Sequence, residues 1–365
     1  MERLGRMILD TFKGKIVLVT GHTGFKGSWL CLWLAELGAE VHGFSLPPNT
    51  EPNHYTATRI SELLKSEKSG DIRDQSTLTK YIQSVQPDCI FHLAAQPLVR
   101  KSYAEPIETF DTNVMGSIYV MEAVRSLGKP CSVVMITSDK CYENVGKAEG
   151  YVETDPMGGH DPYSASKGCA ELAIASYRRS FFPPADVAKH GVMLVSVRAG
   201  NVVGGGDWAE DRIIPDAVRA VTSGRSLEIR SPNAVRPWQH VLEPLSGYIL
   251  LAAKMMNGEA DLGGGWNFGP ASSKASTVAE MIHLFYSLWG EGNIVCDDNT
   301  NHLHEAAYLT LSSDKAMKNL GWHPVWSFSQ TIERTAKWYK GFYENSDALR
   351  LSLADIDEYR KNLEY

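Results

Sequence analysis

At 365 residues, with 43% apolar and 22% charged side chains, the chain has the composition of a globular protein able to build a core for two lobes. A net charge of −7 argues against general affinity for nucleic acid or an anionic membrane surface, and no apolar run approaches the roughly 18–20 residues of a membrane span. Met1-Glu2-Arg3-Leu4-Gly5-Arg6 lacks the apolar core of a signal peptide, and the cysteines (Cys31, Cys89, Cys131, Cys141, Cys169, Cys296) form no C-x-x-C pair, so mostly buried free thiols in a reducing cytoplasm are expected.

Ile16-Val17-Leu18-Val19 is an apolar run short enough for a fully buried parallel strand. Ser28 to Leu37 carries a helical apolar pattern with Gly38 at the C-cap. Between them Gly21, Gly24 and Gly27 fall three apart. Glycine there permits a sharp turn, close approach of a pyrophosphate and close packing of helix on strand, while the helix N-terminus offers unpaired N–H groups. A purely structural turn is the alternative. The setting between a strand and a helix favours a dinucleotide site that also takes in His22, Phe25 and Lys26. A second strand, Val41 to Leu46, stops at Pro47-Pro48. An NAD-selective fold usually ends this strand with an acid for the adenosine ribose. Here Ser45 holds that place and Lys26 sits in the turn, which leaves NADP open. After a weak third strand, Asp71 with Ile72 is placed for the adenine edge, and Asp74 is a helix N-cap.

The fourth strand, Asp88 to Ala95, runs into small residues (Leu93-Ala94-Ala95) where a cofactor can lie close. Glu105 to Leu127 predicts one long amphipathic helix containing Asn113, a poor helix former expected to bond to something nearby. A fifth strand, Ser132 to Ser138, ends at Asp139 and Lys140. Tyr163 and Lys167 open a helix running to about Phe181 and share one face of it. A tyrosine is a poor base at its free pKa of about 10, and a nearby ammonium favours the phenolate, so this pair is a candidate catalytic couple. Met193 to Arg198 is a sixth strand. The alternation to this point predicts an α/β fold, a Rossmann-like doubly wound parallel sheet with its crevice at the strands' carboxyl ends. Residues 1–200 are the dinucleotide-binding domain. Residues 201–365 form mainly a smaller C-terminal substrate-binding lobe, from which some strands return to the main sheet. Within it Arg212 and Pro215 open a helix, and Arg236-Pro237-Trp238-Gln239-His240 suits a phosphate and a stacked base or sugar, against the alternative of an exposed arginine beside a core tryptophan. Gly263 to Pro270 is a loop and short strand, and three helices finish the chain. His302 and His304 lack a ligand constellation and are read as non-ligands, so no metal is expected.

In their order these residues resemble the extended short-chain dehydrogenase/reductase family in its sugar-nucleotide-modifying branch: T-G-x-x-G-F-x-G (Thr20 to Gly27), H-L-A-A (His92 to Ala95), Asn113, Ser138, Tyr163 with Lys167, Asn201, R-P-W-Q-H-V (Arg236 to Val241) and L-G-W-x-P (Leu320 to Pro324). Where thymidine-type dehydratases carry T-D-E, this chain has Ser138-Asp139-Lys140, and His304-Glu305-Ala306-Ala307 lacks their late phosphate arginines. S-D-K-C-Y together with R-P-W-Q-H-V-L-E-P is similar to the CDP-glucose-specific dehydratases of the branch; the cytosine preference comes from that resemblance alone. The resemblance implies NAD as cofactor, a CDP-glucose substrate, a homodimer or homotetramer, and a cytoplasmic enzyme of deoxysugar and lipopolysaccharide biosynthesis. It implies Tyr163 as the base at the C4 hydroxyl, Ser138 on the C4 oxygen, Lys167 on the ribose and biasing Tyr163, and Asp139 as the acid for the C6 hydroxyl. Lys140 is then the C5 base as a neutral amine or, as a cation, the stabiliser of an enolate. Leu93, Ala94, Ala95 and Asn113 fall to the cofactor, and Gln96, Asn201, Arg212, Arg236 and His240 to the substrate. Alternatives are a dehydratase of dTDP-glucose or GDP-mannose, a nucleotide-sugar 4-epimerase or reductase, a non-catalytic dinucleotide sensor on the same fold, and a partner-binding protein with idle catalytic residues.

Overall fold

The structure, a computed structural model, describes residues 10–259, 261–270, 276–296 and 309–363. The apolar runs become β1 (Ile16–Thr20), β2 (Glu40–Ser45), β3 (Ser66–Ser69), β4 (Cys89–His92), β5 (Cys131–Ile136) and β6 (Val192–Ala199). Then follow β7 (Val202–Val203), β8 (Leu227–Ile229), β9 (Val235–Arg236), β10 (Gln239–His240), β11 (Gly264–Phe268), β12 (Ser276–Thr277) and β13 (Ile294–Cys296). The longer helices in the first half are α1 (Phe25–Glu36), α2 (Gln75–Val85), α3 (Val99–Ala104), α4 (Pro106–Phe110), α5 (Gly116–Arg125) and α6 (Pro162–Ser180). The second half carries α7 (Ile213–Thr222), α8 (Leu242–Met256), α9 (Val278–Trp289), α10 (Asp314–Leu320), α11 (Phe328–Tyr343) and α12 (Ala348–Lys361).

Seven strands pair in the order β11-β6-β5-β4-β1-β2-β3, every pair parallel. Val17 lies opposite Val41 on one side and Cys89 on the other, and Cys89 lies opposite Ser132. Strand order reverses between β1 and β4, so the crevice of this Rossmann-like sheet opens where Thr20 meets His92. Both faces of the sheet are covered, which is why β1 reads as a continuous apolar run: Val17 and Val19 join the apolar layer of Trp29 and Leu250, and Leu18 joins that of Ile90 and Val133. The expected N-cap at Asp74 holds, accepting from the Thr77 amide at 3.0 Å, and Gly38 takes φ +78° after α1.

The unusually apolar α1 is buried on its outer side as well. Trp29 donates to the Gly205 carbonyl at 2.9 Å, Trp33 meets the Tyr359 ring edge at 5.7 Å, and His54 bridges Ser28 Oγ (2.8 Å) to Ser352 Oγ (3.0 Å). The C-terminal helix α12 is therefore pinned onto the glycine-turn helix.

Two expectations are refined. The expected helix over 105–127 forms as one continuous run from Pro106 to Arg125, but α4 and α5 are joined in it by a π-turn over Asp111–Met115, where the Asn113 side chain takes up tertiary partners. Among the described residues four helices, not three, follow Pro270. From residues 201–365, β11 returns to the main sheet as the edge strand beside β6, and α8 packs on β5. Of the cysteines, Cys31, Cys89, Cys131 and Cys141 are buried free thiols and Cys169 is exposed; the Cys296 side chain and the N-terminal Met1–Arg6 lie outside the described residues.

Candidate active site

The glycine turn leaves no room for side chains. A Cβ on Gly21, which also has φ +74°, would stand 2.7 Å from the Ala94 amide nitrogen, and one on Gly27 would stand 2.1 Å from the Gly21 carbonyl oxygen. Gly24 is the exposed N-cap of α1, with no side-chain hydrogen bond covering the first-turn amides. Backbone donors at a helix start, beside small half-buried Leu93, Ala94 and Ala95, fit a dinucleotide pyrophosphate. Gly27→Ala is expected to cost about 1–3 kcal/mol through backbone overpacking, read as a lower Tm together with lost cofactor binding by calorimetry.

The turn's other residues divide. Phe25 packs under Gly204, and Lys26 reaches towards Asp139, Lys167 and Arg212; burial, helped by the two cations, lowers its ammonium to about 8. His22 points away from the crevice. Its ring lies on Gly43 and bonds Glu67 Oε2 at 2.8 Å, so it supports the turn from beneath. Thr23 Oγ1 pairs with Ser45 Oγ at 2.9 Å, tying the end of β2 to the turn. At the end of β3, Asp71 is gripped by its neighbour Arg73 (2.7 Å to Nη2), which keeps the carboxyl below its ordinary range; the Ile72 side chain is buried against Gly116 and leaves only its backbone for a ligand.

Across the crevice stand the ends of β5 and α6. Asp161 caps α6 through the Ser164 amide (3.0 Å), and Ser102 on α3 receives the Tyr163 amide at 3.1 Å. These contacts set the first turn, which carries Tyr163, with Lys167 one turn on; both side chains are buried. Burial pushes the Tyr163 phenol up to about 12, opposed by a hydrogen bond with Ser138 and by Arg212. Burial lowers Lys167 to about 8. Asp139 is buried with its carboxyl raised by desolvation, against the pull of Lys140, and accepts from Ser138 Oγ at 2.8 Å. Gly200 backs it so closely that a Cβ there would come within 3.1 Å of Asp139 Oδ2. Lys140 is half-buried beside Asp139, its amide bonded to Ser138 Oγ at 3.2 Å. Four of the five candidate catalytic residues interact directly: Ser138 bonds both the Tyr163 phenol and the Asp139 carboxyl, and Lys140 pulls on that carboxyl, while Lys167 lies one turn along α6 from Tyr163.

One element of the site was missed. Glu171, one turn beyond Lys167, is buried in a fork with Arg198 (Nε 2.9 Å, Nη2 2.8 Å) and also accepts from Thr137 and Ser196. It welds the catalytic helix to the ends of β5 and β6. The helical spacing after Lys167 was its only signal in the sequence.

Three assignments are corrected. Asn113 acts at one remove: its Oδ1 accepts from the Gln96 amide (2.8 Å) and its Nδ2 donates to the Gln96 carbonyl (3.1 Å) and Ser166 Oγ (2.9 Å), clamping the loop after β4 to α6. The Gln96 side chain is consumed by Thr109 and both backbone groups of Leu98, so it shapes the loop rather than meeting substrate. His240 is a core residue, fully buried between the Trp29 and Trp326 rings and lowered to about 3 by desolvation; it stays neutral and out of reach. Arg212 pairs with Asp207 at 3.4 Å on the crevice wall, Arg236 bonds the Val235 carbonyl at 3.1 Å, and the Asn201 carbonyl accepts from the Gln239 amide at 3.1 Å. His302, His304 and the segment after them lie outside the described residues, and among those described no group of three His, Cys, Asp or Glu residues is placed to hold a metal.

Comparison with known proteins places this geometry. Residues 18–335 match the family model described as GDP-mannose 4,6 dehydratase. The chain is 50% identical over 348 residues to CDP-glucose 4,6-dehydratase of Salmonella typhimurium, covering 95% of this chain and 97% of that one. It superposes with TM-score 0.74 on dTDP-glucose 4,6-dehydratase from Bacillus anthracis in complex with NAD (22% identity; 91% of this chain, 99% of that one). UDP-glucose 4-epimerase of Thermus thermophilus in complex with NAD follows at 0.72 (23% identity; 89% and 99%). At these identities the two structures speak for the fold alone.

Proposed function

The chain belongs to the GDP-mannose 4,6-dehydratase family, a branch of the extended short-chain dehydrogenases/reductases, and on that premise we propose that it converts CDP-glucose to CDP-4-keto-6-deoxyglucose and water with bound NAD. The observation that carries this is Asp139: a buried carboxyl with its proton affinity raised, at one strand end with Ser138 and facing the Tyr163–Lys167 couple. An oxidoreductase alone needs the couple. Loss of water from C5–C6 needs the acid as well. The nucleobase rests on the 50% identity to the Salmonella enzyme over nearly the whole of both chains.

NAD, held at the glycine turn, supplies the hydride acceptor for C4 and the donor for C6. Every other step falls to side chains. Tyr163 takes the C4 hydroxyl proton while Ser138 holds that oxygen. Lys167, kept cationic below about pH 8, biases the phenol. Once C4 is a ketone its neighbouring C5 hydrogen is acidic, and Lys140 beside Asp139 removes it. Asp139 protonates the departing C6 oxygen, which leaves as water; Lys140 returns its proton to C5 as C6 is reduced, and the proton taken by Tyr163 passes through Ser138 to Asp139, restoring all three groups. Arg212 and Arg236 on the second half of the chain hold the diphosphate.

The test is substrate deuterated at C4: the reading requires product that has lost water and carries the deuterium at C6 of the same molecule. Epimerised but undehydrated sugar would move the assignment to a 4-epimerase. Arg236→Ala is expected to weaken sugar-nucleotide binding by about 1.5–3 kcal/mol, the worth of a charge-assisted hydrogen bond, while NAD binding is unchanged; equal losses for both ligands would make it structural.

The assembly is a homodimer or homotetramer. Pro106, Ile107, Phe110, Val114 and Met115 line one apolar hollow beside Cys169, with Ile107 85% exposed, which suits a self-complementary face. No helix of the described residues is long and apolar enough to cross a membrane, and the cytoplasm, where nucleotide sugars and NAD are held, is the proposed compartment, with deoxysugar and lipopolysaccharide biosynthesis as the use.

A further inference from the structure

We propose that Arg100, Asp211 and Arg230 form a clasp across the mouth of the substrate crevice, in which Asp211 holds two guanidiniums that pass to the diphosphate of the entering nucleotide sugar. The proposal rests on the nucleotide-sugar reading above. Both arginines reach the same oxygen: Arg100 Nη1 lies 3.3 Å and Arg230 Nη2 3.1 Å from Asp211 Oδ1. They come from opposite walls. Arg100 sits on α3, two residues before the Ser102 hydroxyl that receives the Tyr163 amide, so it is fixed to the start of the catalytic helix. Arg230 directly follows β8, in the second half of the chain.

Asp211 itself is next to Arg212, whose cation acts on both Tyr163 and Lys26. It adopts φ +58°, a left-handed conformation that an aspartate holds only when its surroundings favour it. Asp216 also acts on Asp211 and Arg230 but is paired with its own Arg219, so the three-residue cluster keeps one guanidinium in excess of its carboxylate. All three side chains are between a third and a half exposed (44%, 39% and 33% for Arg100, Asp211 and Arg230), so water screens these pairs and they exchange readily. A diphosphate offers each arginine two acceptor oxygens and a full compensating charge, which one shared carboxylate oxygen does not. Asp211 therefore keeps the two arginines ordered and mutually tolerable until the diphosphate replaces it, and the two walls are then joined through the ligand.

The experiment measures CDP and cytidine binding to the NAD-loaded enzyme by calorimetry, at low and high salt. For Asp211→Asn, which tolerates the left-handed backbone, CDP binding should tighten several-fold because the competing carboxylate is gone. For Arg100→Met and Arg230→Met it should weaken about tenfold each, with a shallower salt dependence, while cytidine binding is unmoved. Weaker CDP binding in Asp211→Asn with a lowered Tm, or unaltered CDP binding in both methionine variants, overturns the clasp. Wild-type enzyme that binds neither CDP nor CDP-glucose would instead overturn the functional reading on which it stands.

Discussion

Tyr163→Phe is expected to lower kcat by about 10²–10⁴, the range of a lost general base, with KM for the sugar nucleotide and Tm little changed. The substitution removes one oxygen from a buried ring whose position is set by backbone contacts, the Asp161 cap of α6 and the Ser102 bond to the Tyr163 amide. Burial holds the phenol up at about 12, so the hydroxyl acts as a base only when cations bring it down. Arg212 does so directly, and Lys167 stands one turn away. Lys167, lowered to about 8 by burial, gives the pH dependence its sign. The ammonium form is needed, it is present below about pH 8, and it is lost as pH rises through that value. kcat/KM should therefore fall on the alkaline side with an apparent pKa near 8, and Lys167→Met should show a low rate without that limb. A phenylalanine variant retaining wild-type kcat would remove Tyr163 from the chemistry.

How far the sequence reveals such a site depends on whether a residue's role is set by its neighbours in the chain or by partners brought from elsewhere. The glycine turn belongs to the first kind: strand, three glycines and helix are contiguous, and the tight contacts at Gly21 and Gly27 are the spatial form of a spacing visible in the letters. Tyr163 and Lys167 are alike, since a helix puts residues four apart on one face. Asn113 is halfway. Its poor fit to a helix interior is legible, but the π-turn it sits in is closed by Gln96 and Ser166, 17 and 53 residues away. Gln96 and His240 show the second kind fully. Both stand beside site residues in sequence, and packing turns one into its own loop and the other between two tryptophans. Glu171 fails in the opposite sense: its face of α6 is predictable, yet its partner Arg198 becomes its neighbour only because β6 lies beside β5. The same non-local pairing carries β11 back to the edge of the main sheet: a returning strand is expected from residues 201–365, but no local pattern says which one or beside which partner.

Asp139→Asn is expected to slow loss of water by about 10²–10⁴, and it is the substitution that separates a dehydratase from an oxidoreductase on this fold. The carboxyl is buried, backed by Gly200 and raised by desolvation against the pull of Lys140 and Lys26, which favours its acid form and its use as a proton donor to a leaving hydroxyl. An asparagine has the same shape, and its carbonyl can go on accepting from Ser138 Oγ, as the carboxylate does at 2.8 Å. Folding and CDP-glucose binding should therefore survive. The steps that precede proton delivery use Tyr163, Ser138 and Lys140, none of which the change removes. In deuterated water the variant should accordingly exchange the C5 hydrogen of the substrate, followed by NMR, while 4-keto-6-deoxy product accumulates slowly. Exchange and dehydration lost together, with Tm unchanged, would make Asp139 the C5 base rather than the acid. Dehydration at the wild-type rate would place the acid elsewhere, with Lys140 the next group to replace.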